Sequence, residues 1–277
     1  MTNLVDLHMH TTASDGVLSP SALVDLAASR GLSVIAITDH DSTEGIAEAS
    51  SAAQKHPGLQ VIPGIEMSAE TETDIHILGY FVDVEDTGFQ SLLTKLRSAR
   101  SDRGRQIVAK LAALGMDVSW TRVLELAQGG AVGRPHIAQA LKERGYVQNL
   151  NEAFERYIGH GGPAYVSRYR LTPAEAIGVL NDLGAVAVMA HPMDVTLPRE
   201  AIAEMVHNGL GGLECYYPGY SPRTLHTLLK LAREFGLVPT GGTDFHGRED
   251  GAEAGPGSVY VPIESARRLI ALASRKS

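Results

Sequence analysis

"LVDLHMHTTASDG", residues 4–16, places two histidines one residue apart at the end of a short apolar run, with Asp15 five residues past the second. Side chains at i and i+2 of an extended chain point to the same face. His8 and His10 therefore offer two ring nitrogens to one side, the arrangement needed to share a metal ion. Taken alone the stretch reads equally well as a strand followed by a polar loop, because a lone motif is only a hypothesis. What decides between the two is whether later strands end in the same kind of residue.

They do. Apolar runs alternate with helical patterns along most of the chain. After the first strand, "SPSALVDLAASRG" reads as a helix capped by Ser19, entered by Pro20 and stopped by Gly31. "SVIAIT" (33–38) is a buried strand, "STEGIAEASSAAQKHPG" a second helix with Ser42 as its candidate cap, and "LQVIPGIEMS" (59–68) a third strand. The connection to "DIHILGYF" (74–81) is too short for a parallel crossover, so a hairpin is expected there. From about Thr87 to Gly161 the pattern is purely helical. Strand–helix alternation then resumes through "AVAVMAHP", "GGLECYY" and "LVPTGGTDFHG". About seven strand regions alternating with helices predict an α/β fold whose sheet is mostly parallel, a barrel rather than an open sheet. The expected organisation is a barrel built from residues 1–96 and 166–277, interrupted by a helical insertion over 97–165 that forms a substrate pocket.

Composition narrows the class. The chain has 277 residues, 44% hydrophobic and 20% charged, as in ordinary globular proteins. A net charge of −8 argues against a general polyanion-binding surface. The single cysteine, Cys215, excludes an intramolecular disulfide framework. No signal peptide or long apolar stretch is present, so a cytoplasmic protein without membrane association is expected.

Just past the strands lie His8, His10 and Asp15; then Asp39 and His40; Glu66; His191 before Pro192; Glu214; and Asp244 with His246. His76 comes early in its own run, where an antiparallel return sets it beside Glu66. In barrels the C-terminal strand ends form one face, which carries the active site. Convergent titratable groups on such a face mark a site. Mixed His/Asp/Glu donors without thiolate suit manganese, zinc or iron. The number of donors exceeds what one ion needs, so two or three divalent ions are expected, manganese first, with zinc or iron as alternatives. His56, His207 and His226 fall in helical surface patterns and are read as solvated.

"DLHMHTTASDG", "AITDHDS", "PGIEMS", "IHILGY", "MAHP" and "GGTDFHG" resemble, in this order, the motifs of the PHP (polymerase and histidinol phosphatase) family. That resemblance implies a distorted (β/α)₇ barrel of the PHP type with a metal cluster that hydrolyses phosphate esters. It assigns His8, His10, Glu66 and Asp244 to one ion. Glu66 bridges to a second, held also by His76 and His191, and Asp15, His40 and His246 hold a third. The catalytic set is then His8, His10, Glu66, His191 and Asp244. Glu214 is not among the family's usual ligands and is left beside them, as is Asp39, expected to orient a ligand.

The helical insertion, with "GRPHIA" (133–138) and "SRYR" (167–170), is similar to the subgroup holding nucleoside 3′,5′-bisphosphate phosphatases and 5′→3′ exoribonucleases. Arg134 heads a helix, where exposed N–H groups already attract anions, and arginine adds bidentate phosphate recognition. His136, Ser167, Arg168 and Arg170 are expected to join it. The function implied is removal of the 3′-phosphate from substrates such as adenosine 3′,5′-bisphosphate by a metal-bound hydroxide, with 5′→3′ exonuclease action on short RNA as a further activity. The expected partners are thus a small nucleotide bisphosphate and short RNA 5′ ends. Two other readings compete: histidinol-phosphate phosphatase, whose substrate has a single phosphate, and a non-catalytic metal-binding PHP module.

Overall fold

The computed structural model describes residues 4–70, 74–127, 130, 132–167, 171–193, 199–247 and 253–276. Seven strands form one sheet in chain order: β1 (Leu4–Asp6), β2 (Leu32–Ile37), β3 (Gln60–Glu70), β4 (Asp74–Tyr80), β5 (Val186–Met189), β6 (Gly212–Tyr216) and β7 (Val238–Gly241). All neighbours are parallel except at β4, which is antiparallel to both β3 and β5. The expected hairpin is present, with Ser68 opposite His76.

The last strand returns to the first. Leu7 N donates to Gly241 O (3.1 Å), Asp244 N to His8 O (2.9 Å) and His10 N to Phe245 O (2.8 Å), so the sheet closes on itself as a barrel. Closure needs close backbone approach, and glycines supply it. A Cβ on Gly242 would lie 2.4 Å from His8 N, and one on Gly241 2.2 Å from Tyr216 O. The "GG" of "GGTDFHG" is therefore the seam of the barrel.

Inside the barrel, Val5, Ala36, Ile62, Leu78, Val188 and Val238 belong to one apolar cluster, which continues into Ala266 and Leu269 of the last helix, α10 (Ile263–Ala273). Outside it, α1 (Pro20–Ser29) and α2 (Ile46–Ala53) cover β1–β3, and α7 (Pro173–Asp182), α8 (Arg199–His207) and α9 (Pro222–Glu234) cover the rest. Ser19 caps α1 as expected, its side chain accepting from Ala22 N. Ser42 does not cap α2. That helix starts later, at Ile46 with Gly45 as its N-cap, and Ser42 Oγ accepts instead from Glu44 N. The reason is local: residues just past β2 turn sharply, with Asp41 at φ 49°, before a helix can begin.

Between β4 and β5 lie α3 (Thr87–Ala113), α4 (Trp120–Leu126), α5 (Arg134–Glu143) and α6 (Leu150–Ala153), followed by a π-helical turn, Phe154–Ile158. Their core is separate: Ile107, Leu111, Val123, Ile137, Leu141 and Ile158 pack together. The long α3 joins the two cores, since its first half (Phe89, Leu93, Leu96) packs on the barrel. Among the described residues no helix is long and apolar enough to cross a membrane.

Candidate metal centre and its cleft

β1 ends at Asp6, but the chain stays extended through His10 because it is bonded on both sides: to Phe245 and Asp244 on one, and to Thr38, whose N–H donates to Met9 O (3.0 Å), on the other. Leu7 and Met9 point into apolar clusters. Between and beyond them, His8 and His10 stand with ring centroids 5.2 Å apart, both fully buried.

Glu66, also fully buried, stands at the centre. Its Oε2 lies 2.8 Å from His40 Nδ1, 3.3 Å from His10 Nε2 and 3.5 Å from His8 Nε2. Its Oε1 lies 2.8 Å from His76 Nδ1 and 3.1 Å from His191 Nε2. Asp244 Oδ1 faces His8 Nε2 (3.3 Å) and His10 Nε2 (3.0 Å). Asp15 Oδ1 faces His246 Nε2 (3.3 Å), His40 Nε2 (3.8 Å) and His10 Nδ1 (3.9 Å). The nine residues expected to ligate thus converge. Their donor atoms gather as His8, His10, Glu66 and Asp244; as His10, Asp15, His40 and His246; and as His40, Glu66 and His76. His191 and Asp244 both have positive φ, 24° and 51°, so backbone strain is concentrated here.

The electrostatics are those of a site made for cations. Burial pushes Glu66, Asp15 and Asp244 upward, but the facing imidazoles win and hold all three carboxyls well below the usual carboxylate range. Burial, with His246 and His40 as neighbours, pushes His10 down to about 3, which keeps it a neutral donor. Burial also lowers His76. His8 goes the other way: burial lowers it, but Asp244, Glu214 and Glu66 together raise it well above its ordinary value. Several buried atoms have no hydrogen-bond partner among the described residues: His8 Nε2, both ring nitrogens of His10, His40 Nδ1 and Glu66 Oε2. Buried polar atoms are normally satisfied. Donor nitrogens and carboxylate oxygens aimed at one another without a hydrogen bond fit divalent ions between them, and the absence of thiolate fits a manganese, zinc or iron type of ion.

Asp39 acts on a candidate ligand through its loop rather than through a ligand ring. It accepts from Thr11 N (2.7 Å), Thr11 Oγ1 (2.7 Å) and Ser14 Oγ (2.6 Å), and so fixes the loop that presents Asp15. Asp6 does the same across the seam, accepting from Thr243 N (3.0 Å), Thr243 Oγ1 (2.7 Å) and Gly257 N (2.9 Å). Tyr217, beside His191, donates its hydroxyl to Asp244 Oδ2 (2.8 Å).

A cleft open to solvent runs from this cluster to the helical segment. Asp15, His40 and His76 of the cluster line it, and so do Arg100, Arg103 and Arg134. Arg134 heads α5 with its guanidinium 5.4 Å from the Phe154 ring, which the π-helical turn delivers. Arg100 Nε donates to Asp41 Oδ2 (2.7 Å) and its Nη2 to Ser68 Oγ (2.6 Å), so this side chain is anchored where cluster and cleft meet. Arg100 and Arg103 were not singled out by the sequence. They share one face of α3 with Ile107, but that spacing alone says only that the helix is amphipathic. Of the other residues expected here, His136 is buried and its Nδ1 accepts from Gly133 N (3.0 Å), closing the start of α5; it does not line the cleft. Ser167 is exposed and does not line it either. Arg168 and Arg170 lie outside the described residues.

The PHP domain family matches residues 6–163. The chain is 35% identical over 250 residues to the 5′-3′ exoribonuclease Rnm of Salmonella typhimurium, covering 88% of this chain and 85% of that protein. It is 32% identical over 266 residues to the 3′,5′-nucleoside bisphosphate phosphatase of Chromobacterium violaceum, covering 94% and 93%. Among solved structures, a Bifidobacterium adolescentis protein assigned to the metal-dependent phosphoesterases superposes with a TM-score of 0.89 at 30% identity, covering 98% of this chain and 97% of that one.

Proposed function

The chain belongs to the PHP family and is a hydrolytic phosphoesterase, and on that premise we propose that it removes the 3′-phosphate from nucleoside 3′,5′-bisphosphates. The observation that carries this reading is the cleft: one groove is lined both by members of the His/Asp/Glu cluster and by three arginines. A substrate with a single phosphate engages the cluster and leaves the arginines unused. A bisphosphate, with a reacting phosphate and a second one held apart by a ribose, uses both.

Under this reading His8, His10, Glu66 and Asp244 hold one divalent ion, Glu66, His76 and His191 a second, and Asp15, His40 and His246 a third, with manganese the proposed metal. When bound, such ions supply activation of water and positive charge against the phosphoryl oxygens. The chain's own side chains do the rest. Arg134, at a helix N-terminus, and Arg100, braced by Asp41, take the second phosphate by charge-assisted hydrogen bonds. Phe154, under the Arg134 guanidinium, keeps that side chain extended over the groove. Tyr217 and Asp39 hold Asp244 and the Asp15 loop in place. The same groove accepts the 5′-phosphate end of an RNA strand. Its opening to solvent and the likeness to an exoribonuclease favour this as a second activity of the same site.

The test is phosphate release, with manganese supplied, from adenosine 3′,5′-bisphosphate beside AMP, histidinol phosphate and a 5′-phosphorylated oligoribonucleotide. The proposal expects the bisphosphate to turn over far faster than AMP and to yield AMP. Preference for the oligonucleotide would make RNA the principal substrate. Reaction of histidinol phosphate alone would overturn the role given to the arginines.

A further inference from the structure

Glu214 is a fully buried carboxylate beneath the metal-facing histidines, and the ligand sets above do not use it. A register shift between Glu214 and Tyr216 in β6 accompanies its placement. Its two oxygens lie 3.1 and 3.3 Å from His8 Nδ1, and Oε2 also accepts from the backbone N–H of His191 (2.7 Å). It therefore touches two elements far apart in the chain: the segment after β1 and the turn after β5.

Both contacts bear on metal-facing atoms. By accepting at Nδ1, Glu214 keeps the proton of a neutral His8 on that nitrogen and leaves the Nε2 lone pair facing Glu66 Oε2 and Asp244 Oδ1. By accepting from His191 N–H, it secures a residue at φ 24°, a conformation that side-chain-bearing residues rarely adopt, with Nε2 aimed at Glu66 Oε1 (3.1 Å). We infer that Glu214 is a positioning residue that sets the tautomer of His8 and the turn at His191 together, and thereby the affinity of the centre for divalent cations. The inference rests on the metal-centre reading proposed above, but not on the choice of substrate.

Chemistry makes the claim sharp. A carboxylate can accept on both oxygens; an amide of the same shape can accept on one only. In Glu214→Gln, an amide oxygen kept on His191 N–H turns the NH₂ group toward His8 Nδ1. That moves the imidazole proton to Nε2, where the cation must bind. The opposite flip turns NH₂ against the His191 N–H. Neither orientation keeps an acceptor both at the 3.1 Å position beside His8 Nδ1 and at the 2.7 Å position beside His191 N–H. Glu214→Asp keeps the charge but withdraws it by one methylene.

The experiment is calorimetric titration of Mn²⁺ into metal-free wild type, Glu214→Gln and Glu214→Asp, with circular dichroism to show that each is folded. Steady-state kinetics are then measured at saturating Mn²⁺. Outer partners of ligating histidines are typically worth about 10–100-fold in metal affinity. Glu214→Gln is expected to lose that much at one or more sites, with Glu214→Asp between it and wild type, and with the substrate KM nearly unchanged while kcat falls. If Gln does not fold, Asp alone reads the result. Equal Mn²⁺ affinity in wild type and either folded variant overturns the inference and leaves the metal centre standing. Failure of the wild type to bind Mn²⁺ overturns the centre itself.

Discussion

Arg134 carries the specificity argument at the scale of one residue. Hydrogen bonds to charged groups contribute about 1.5–3 kcal/mol, or roughly 10–100-fold. Arg134→Gln is expected to raise KM for adenosine 3′,5′-bisphosphate by about that factor while leaving kcat within a few fold. Initial-rate measurements check this, and an unchanged KM would remove Arg134 from substrate binding. Most of the clustered residues were legible from the sequence because they follow strands, and Glu66 and His76 because a short link makes β3 and β4 a hairpin. His136 was not. Its position two residues after Arg134 suggested a shared anion, yet its ring turns back to cap its own helix. That choice depends on burial, which the local sequence does not show.

The seam between β1 and β7 is the element on which the centre depends. Gly242→Ala places a methyl within 2.4 Å of His8 N, and since backbone cannot step aside, a cost of about 1–3 kcal/mol is expected. Chemical denaturation measures it, together with loss of bound metal because Asp244 and His246 lie just beyond. A stability equal to wild type would mean that the seam is slack. Asp6 ties the same seam and gives it a pH signature. Burial pushes its carboxyl up to about 6 from an ordinary 3.8, against hydrogen bonds from Gly257, Thr243 and His8 that lower it. The folded protein therefore binds this proton more tightly than the unfolded chain. The sign follows: the contribution is fully present below pH 3.8 and is lost as pH rises to about 6. The gap, at about 1.36 kcal/mol per unit, is worth up to about 3 kcal/mol. The stability of metal-free wild type relative to Asp6→Asn is expected to fall between about pH 4 and 6, as followed by urea denaturation; a constant difference would contradict the assignment. Element order was readable because the strand–helix alternation and the short β3–β4 link leave few topologies. The start of α2 was misplaced because residues after β2 serve the site before they serve the helix.

Over the whole molecule, clustered carboxylates and imidazoles bind cations in the fold but not in the unfolded chain. A ligand at about 100 times its dissociation constant stabilises by about 2.7 kcal/mol. For a chain of this size that is a few degrees in melting temperature. Stripping divalent ions with a chelator is expected to lower the melting temperature by at least that much, and Mn²⁺ to restore it; scanning calorimetry decides, and an unmoved transition would count against a metal centre. The identities and order of the clustered residues are written in the sequence, because most follow a strand, the β3–β4 hairpin brings Glu66 and His76 together, and the strands follow one another around the sheet. Which oxygen of Glu66 meets which imidazole is not written there. Nor is the meeting of Arg100 and Arg103 with Arg134, or the reach of Glu214 to both His8 and His191. Those contacts join residues far apart in the chain, and they exist only once the barrel has closed and α3 has bridged its two cores.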